Sequence, residues 1–143
     1  MTDEKEKSGT DGPPLVLVAI NHDDLWQEIS TRLERRFEVL RETDGLGAID
    51  ALLQHRPVAV IAETGLPGLS GILLARLIGN NRFLTRLPVA LIMSRPYLIE
   101  EFWAKESGSI ANVPRDQAGR TVDAILEATR NSVPIPDEDW DQA

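Results

Sequence analysis

Three carboxylates that could take part in chemistry follow short apolar runs of this sequence. Asp23 and Asp24 come soon after LVLVAI at residues 15–20, and Glu63 comes directly after PVAVIA at residues 57–62. Paired carboxylates can hold a divalent cation, because Mg²⁺ prefers carboxylate and water oxygens. Aspartate also caps helices and interacts favourably with the helix dipole. The pair therefore predicts either a shifted acidic site or, more simply, the start of a helix.

The two histidines, His22 and His55, have no obvious chemical context. A phosphorelay histidine would need a helical bundle, which this pattern does not indicate. His22 lies beside Asp23 and Asp24, but adjacent residues rarely converge on one metal ion. We predict that both histidines are surface side chains and that there is no metal site.

Apolar runs alternate with amphipathic segments between residues 14 and 131. The runs predict strands at 15–20, 37–42, 57–62, 87–94 and 109–113. Helical spacing predicts helices at 23–36, 44–55, 71–81, 96–108 and 115–130. In the second of these helices, Leu46, Ile49, Leu52 and Leu53 are expected to share one apolar side.

This alternation predicts a doubly wound α/β fold. The strands are continuously apolar, which is typical of a parallel sheet that is covered on both faces. We expect a flavodoxin-like (βα)5 domain with five parallel strands in the order 2-1-3-4-5 and helices on both faces. In such folds the functional crevice lies at the carboxyl ends of the strands.

Composition narrows the class of protein further. The chain has 143 residues, a net charge of −8 and no cysteine, which excludes disulfides and thiolate metal sites. The acidity argues against nucleic-acid binding by this domain. The sequence begins with a polar stretch and contains no apolar run of about 18 residues. We therefore expect a cytoplasmic protein without a membrane span.

Both ends of the chain differ from the middle in composition. Residues 1–13 are polar and predict a disordered leader. Residues 132–143, SVPIPDEDWDQA, predict an acidic, Pro-containing tail or linker. Trp140 in this tail is either a short anchoring motif or part of a disordered segment.

The segments PVAVIAETGLPGLSGILLARLI and LPVALIMS resemble parts of a response-regulator receiver domain of the chemotaxis type. The resemblance covers residues 14–131. It implies a module of two-component signalling in which acidic residues hold Mg²⁺, an aspartate accepts a phosphoryl group, and a hydroxyl residue and a lysine bind the phosphoryl oxygens. Such catalysis depends on positioning and on charge neutralisation.

The positions that match this machinery carry other residues. The resemblance places the acidic pair at Ile20 and Asn21, and the acceptor aspartate at Glu63. The hydroxyl residue falls on Met93, one place before Ser94. The lysine falls on Val113, before Pro114, and an aromatic position falls on Ile110. This pattern indicates a degenerate pseudo-receiver that lacks a cation for a phosphoryl group. Glu63 is then either a mimic of the phosphorylated state or, more simply, an exposed loop carboxylate.

The segment at 96–108 carries an apolar surface. Leu98 and Phe102 share one helical stripe, and Ile99 and Trp103 share another. If one stripe packs on the sheet, the other faces outward and indicates a partner; alternatively, both stripes are buried. In receivers, the surface formed by the fourth helix, fifth strand and fifth helix is the usual dimer or effector face.

Three functions follow from these patterns. The leading hypothesis is a non-enzymatic signalling module without a cofactor, which binds a protein partner or a second copy of itself. The alternative is a divergent but active phosphoacceptor that uses Glu63 or the shifted Asp23–Asp24 pair. A flavin or nucleotide binder is disfavoured, because the loop NHDDLW after the first strand is acidic and lacks glycine.

Overall fold

The structure is a computed structural model that describes residues 13–94 and 98–130. Five strands and five α-helices alternate along these residues. The strands are β1 (Leu15–Ala19), β2 (Glu38–Glu42), β3 (Ala59–Glu63), β4 (Val89–Met93) and β5 (Ala111–Pro114). The helices are α1 (Asp23–Leu33), α2 (Gly45–His55), α3 (Gly71–Asn80), α4 (Leu98–Lys105) and α5 (Gly119–Thr129), with a 3-10 turn at Arg115–Gln117. The leader and tail predicted at the two ends lie outside the described residues.

The five strands form one parallel sheet in the order β2-β1-β3-β4-β5. This confirms the predicted flavodoxin-like fold. Strands β3 and β4 are buried at every position, as expected for central parallel strands covered on both faces. Every strand of a parallel sheet ends at the same edge, so the loops after β1, β3, β4 and β5 meet there.

Alternate side chains of the strands enter two separate cores. Val16, Val18 and Ile61 pack with helices α1 and α5 on one face, whereas Leu17 and Val60 pack with α2 and α3 on the other. Successive residues of a strand point to opposite faces, so a continuous apolar run supplies both cores. The sheet is thereby held rigidly between two layers of helices.

Two glycines shape the loop that follows β3, Gly71 through close packing and Gly68 through its backbone conformation. A Cβ atom at Gly71 would lie only 2.0 Å from the carbonyl oxygen of Glu63, so helix α3 begins directly against the end of β3. Gly68 has a φ of 79° and completes the predicted turn after Pro67. Ser70 caps α3 by accepting a hydrogen bond from the Leu73 amide.

Two predictions about helix faces were wrong. In α2, Leu46 and Leu53 are 64% and 65% exposed, and the buried residues include Ala48 and Leu52. The sheet lies close to α2, so small residues face it and leucines on both flanks remain in solvent. In α4, neither predicted stripe is buried, and Ala104 is the buried residue of that helix.

Helix lengths also deviate from the periodicity of the sequence. Helix α1 ends at Leu33 rather than at residue 36, and the segment predicted as one final helix is divided into a 3-10 turn and α5. Across residues 13–94 and 98–130, none of the helices combines the length and apolar character that crossing a membrane requires.

Candidate functional site

The residues singled out at the ends of the strands lie at one edge of the sheet. Ile20 follows β1 and is fully buried, whereas the next residue, Asn21, is exposed. Met93 ends β4 and is 7% exposed, and Val113 lies in β5 and is 5% exposed. Three of these positions therefore contribute apolar side chains to the core beneath the site rather than groups that could bind a ligand.

Glu63 is the last residue of β3 and is only 1% exposed. Its Oε2 atom accepts hydrogen bonds from the backbone amides of Asn21, at 2.5 Å, and His22, at 3.2 Å. Its Oε1 atom lies 2.6 Å from Nδ1 of His22. The prediction of an exposed loop carboxylate was wrong, because β3 continues one residue further and directs this side chain inward under the β1–α1 loop.

With the contact to His22, both carboxyl oxygens of Glu63 have a hydrogen-bond partner. When the carboxyl is ionised it has no proton to donate, and Nδ1 of His22 is then the donor in this pair. Hydrogen bonds to charged groups contribute about 1.5–3 kcal/mol each. The buried carboxylate therefore joins the loop after β1 to the end of β3.

His22 was expected to be an ordinary surface residue, and its side chain is indeed 47% exposed. The structure nevertheless brings its ring onto a carboxylate 41 residues away in the sequence. Its place directly after β1, at the predicted functional edge, was the available signal. Sequence reasoning missed this role because it tested His22 only against its neighbours along the chain.

A second polar cluster lies beside Glu63 and joins β3 to β4 and α4. Oγ1 of Thr64 accepts a hydrogen bond from the Ser94 amide and donates one to Glu100, both at 2.9 Å. Oγ of Ser94 accepts a hydrogen bond from the Gly65 amide at 3.1 Å. The Ser94 hydroxyl is therefore engaged in holding the loop that follows β3.

Asp23 and Asp24 occupy the first turn of α1 and face outward. His22, rather than either aspartate, is the N-cap residue, and it makes no side-chain cap bond. Asp23 pairs with Arg41 at 2.9 Å, and Asp24 pairs with Arg115 through both carboxylate oxygens at 2.8 and 2.9 Å. The expected capping role was therefore wrong, although both charges lie favourably at the positive end of the helix dipole.

The pKa of Asp24 is lowered below its ordinary value of 3.8. The main cause is the hydrogen bond from the Leu25 backbone amide, and hydrogen bonding and charge attraction from Arg115 add to it. Desolvation opposes this lowering of the pKa, and its influence is second only to that of the Leu25 amide. The exposed position means that the effect on stability is small and screened by salt.

Arg115 places a cation at the edge where the sequence predicted none. It lines a cleft of about 350 Å³ together with His22, Gly65, Ser94 and Glu100. Sequence reasoning considered only the position before Pro114 and so did not identify Arg115; whether this cation could neutralise a phosphoryl group stays a prediction. The 3-10 turn after β5 directs Arg115 back toward α1, where it meets Asp24 across 91 residues of sequence.

Helix α4 and Ile110, which directly precedes β5, expose several large apolar side chains. We call this the α4 surface, and it comprises Leu98, Ile99, Phe102, Trp103 and Ile110, which are 85%, 68%, 55%, 45% and 46% exposed. The rings of Phe102 and Trp103 make an edge-to-face contact with centroids 5.3 Å apart. The apolar side chains of a short helix are thus left without cover in the described chain.

The fold is similar to that of solved receiver domains. The Mn(2+)-bound form of response regulator Rcp1 superposes with a TM-score of 0.71 at 19% identity, covering 87% of this chain and 99% of that one. The receiver domain of a signal transduction histidine kinase from Syntrophus aciditrophicus gives 0.72 at 17% identity, covering 86% and 97%. The receiver domain of the Francisella response regulator 1452 gives 0.72 at 18% identity, covering 84% and 99%.

The sequence shares only 17–19% of its residues with these proteins. No protein-family model matches the chain, and no curated protein matches it either. At identities of 17–19%, the superpositions establish the fold, which is that of response-regulator receiver domains. The chemistry of the site has to be argued from the residues of this chain.

Proposed function

We propose that this domain is a non-enzymatic, receiver-like signalling module that acts through protein–protein contacts and is not phosphorylated at Glu63. The observation that carries this proposal is the enclosed Glu63 carboxyl, which is 1% exposed and holds three donors. A phosphoacceptor needs an oxygen that can reach the phosphoryl group. Here both oxygens bind the β1–α1 loop of the same chain.

The residues at this edge also fit a divalent cation poorly. The amides of Asn21 and His22 direct their N–H groups at Glu63, which presents positive partial charge where a cation would lie. Asp23 and Asp24 are held outward by Arg41 and Arg115. Within residues 13–94 and 98–130, no three His, Cys, Asp or Glu side chains are grouped so as to hold a metal ion. This arrangement supports signalling that is independent of Mg²⁺.

The proposed partner binds at the α4 surface, and a second copy of this chain is the simplest candidate. Trp and Phe are enriched among residues that dominate interface energetics. The surface adjoins β5, which belongs to the face through which receiver domains commonly form dimers. The net charge of −8 disfavours nucleic acid as the partner.

A second candidate function is a divergent phosphoacceptor, and one observation favours it. Arg115 and Ser94 line the same cleft, so a cation and a hydroxyl group lie near the end of β3. Such a site would require Glu63 to leave the amides of the β1–α1 loop, or Asp24 to leave Arg115. Both contacts oppose that rearrangement.

Intact-protein mass after incubation with acetyl phosphate and Mg²⁺ separates the two functions. We expect no added phosphoryl mass in the wild-type chain, with an active receiver domain as the positive control. Stoichiometric addition would overturn the main proposal. Loss of that addition in Glu63→Gln but not in Asp24→Asn would assign the acceptor to Glu63, and the converse pattern would assign it to Asp24.

A further inference from the structure

A second cleft, larger than the one lined by His22 and Arg115, lies at the edge of the sheet opposite to Glu63. We call it the basic groove: it encloses about 590 Å³ between the end of α2, the starts of β3 and β4, and the segment after α3. Leu53 and Phe83, which are 65% and 88% exposed, form part of its apolar wall, and Arg56 and Arg86 line it. The groove lies at the starts of the strands, whereas the site described above lies at their carboxyl ends, so the two are separate.

The charge of the basic groove is opposite to that of the whole protein. Arg56 and Arg86 are the charged residues in its lining, and none of the lining residues is acidic. Residues 64–99 contain no Asp or Glu, although the chain has a net charge of −8. An apolar floor with two guanidinium groups fits a segment that presents an aromatic side chain between carboxylates.

Among the residues outside the described ranges, one segment has this chemistry. We propose that the tail, residues 132–143, docks in the basic groove of the same chain, with Trp140 against its apolar wall. Asp137, Glu138, Asp139 and Asp141 flank this tryptophan, and no Lys or Arg follows Arg130. The N-terminal residues 1–12 contain no aromatic side chain and mix Lys with Asp and Glu, so they match the groove less well.

The geometry of the fold allows the tail to reach the groove. Helix α5 begins after the carboxyl end of β5 and packs across β3 and β4, so it ends at the same edge of the sheet as the groove. Trp140 lies ten positions after Arg130 in the sequence. An extended chain of that length spans at most about 33–36 Å, which is comparable to the diameter of a small domain.

Engineered disulfides in the full chain test this docking, because the protein has no cysteine of its own. One variant combines Gln142→Cys with Thr85→Cys, an exposed position between groove residues Leu84 and Arg86. The matched control combines Gln142→Cys with Glu34→Cys, an exposed position at the end of α1 on the face that carries α5. Thr85 and Glu34 lie at the same edge of the sheet. Replacing Glu34 also removes a negative charge that would repel the acidic tail.

We expect the intramolecular disulfide from position 85 to form at least about fivefold faster than that from position 34, because docking raises the local concentration of the tail. Adding Trp140→Ser or Arg86→Gln should remove this preference, and circular dichroism should show that every variant is folded.

Equal rates of disulfide formation for the two pairs would overturn the proposal. A disulfide found only between two chains would also overturn it, and would assign the groove to the tail of a second copy. Neither result bears on Glu63, so this inference stands or falls independently of the proposed function.

Discussion

At the scale of single residues, the side chain of Glu63 points into the protein, so its carboxyl is not accessible to solvent. Burying a charged group is costly unless donors surround it, and here two amides and an imidazole do so. The carboxyl thereby becomes a structural link between β1 and β3. Its contribution to stability is the first measurable consequence.

Replacing Glu63 by alanine should lower the free energy of unfolding by roughly 2–4 kcal/mol, because it leaves the Asn21 and His22 amides without their acceptor. Glu63→Gln keeps a carbonyl oxygen for these amides and should cost less. Urea unfolding of both variants measures the difference. A more stable Glu63→Ala variant would mean that the buried carboxyl is strained rather than satisfied.

The lowered pKa of Asp24 predicts a small dependence of stability on pH. The folded state holds this proton less tightly than the unfolded state, so the stabilisation is present above pH 3.8 and is lost as the pH falls through the folded-state pKa. The free energies of unfolding of wild type and Asp24→Asn should therefore differ at neutral pH and converge in acid.

In an NMR titration, Arg115→Gln should raise the pKa of Asp24 only in part, because the Leu25 amide remains. An unchanged pKa in this variant would contradict the contact.

At the scale of elements, the start of α3 packs directly against the end of β3 because Gly71 has no side chain. Gly71→Ala should lower the free energy of unfolding by about 1–3 kcal/mol, because its Cβ would meet the Glu63 carbonyl oxygen at 2.0 Å. Gly79→Ala in the same helix is the matched control. Its Cβ would have ordinary contacts, the nearest at 3.8 Å, so the change should be neutral or stabilising by up to about 1 kcal/mol. Thermal unfolding of the pair is sufficient, and equal effects would refute the steric argument.

Helix α4 shows the opposite situation, since its apolar side chains pack on little. Ala104 meets the core, while the Thr64–Glu100 hydrogen bond joins the helix to the end of β3. A hydrogen bond therefore joins Thr64, the neighbour of Glu63, to the helix that carries the α4 surface. The proposed interaction surface and the site around Glu63 are thus in direct physical contact.

At the scale of the whole molecule, the α4 surface predicts self-association. Sedimentation should give a mass near twice 15.8 kDa for the wild-type chain, and Trp103→Ser together with Ile99→Ser should shift it toward the monomer. Leu73→Ser on α3 is the matched control, because Leu73 and Trp103 are both 45% exposed. A wild-type monomer at high concentration would exclude the second copy as partner and leave a different protein for the α4 surface.

Much of the architecture could be predicted because it depends on local pattern. Continuous apolar runs such as those of β3 and β4 indicate buried parallel strands, and the alternation with helical spacing leads to the five βα units. The turn at Pro67 and Gly68 also followed from residue type alone. These features depend on residues close in sequence, which is the range over which periodicity carries information.

The faces of α2 and α4 and the direction of Glu63 were decided only in three dimensions. Periodicity identifies apolar sides, but how near a helix lies to the sheet selects Ala48 and Ala104 over larger neighbours. The partners of Glu63 and Asp24 lie 41 and 91 residues away, and no local pattern encodes such contacts. The amino-acid sequence alone thus determined the order of elements, the parallel sheet and the edge where chemistry could occur. The tertiary structure decided which groups meet at that edge, because a side chain's partners depend on packing between distant segments.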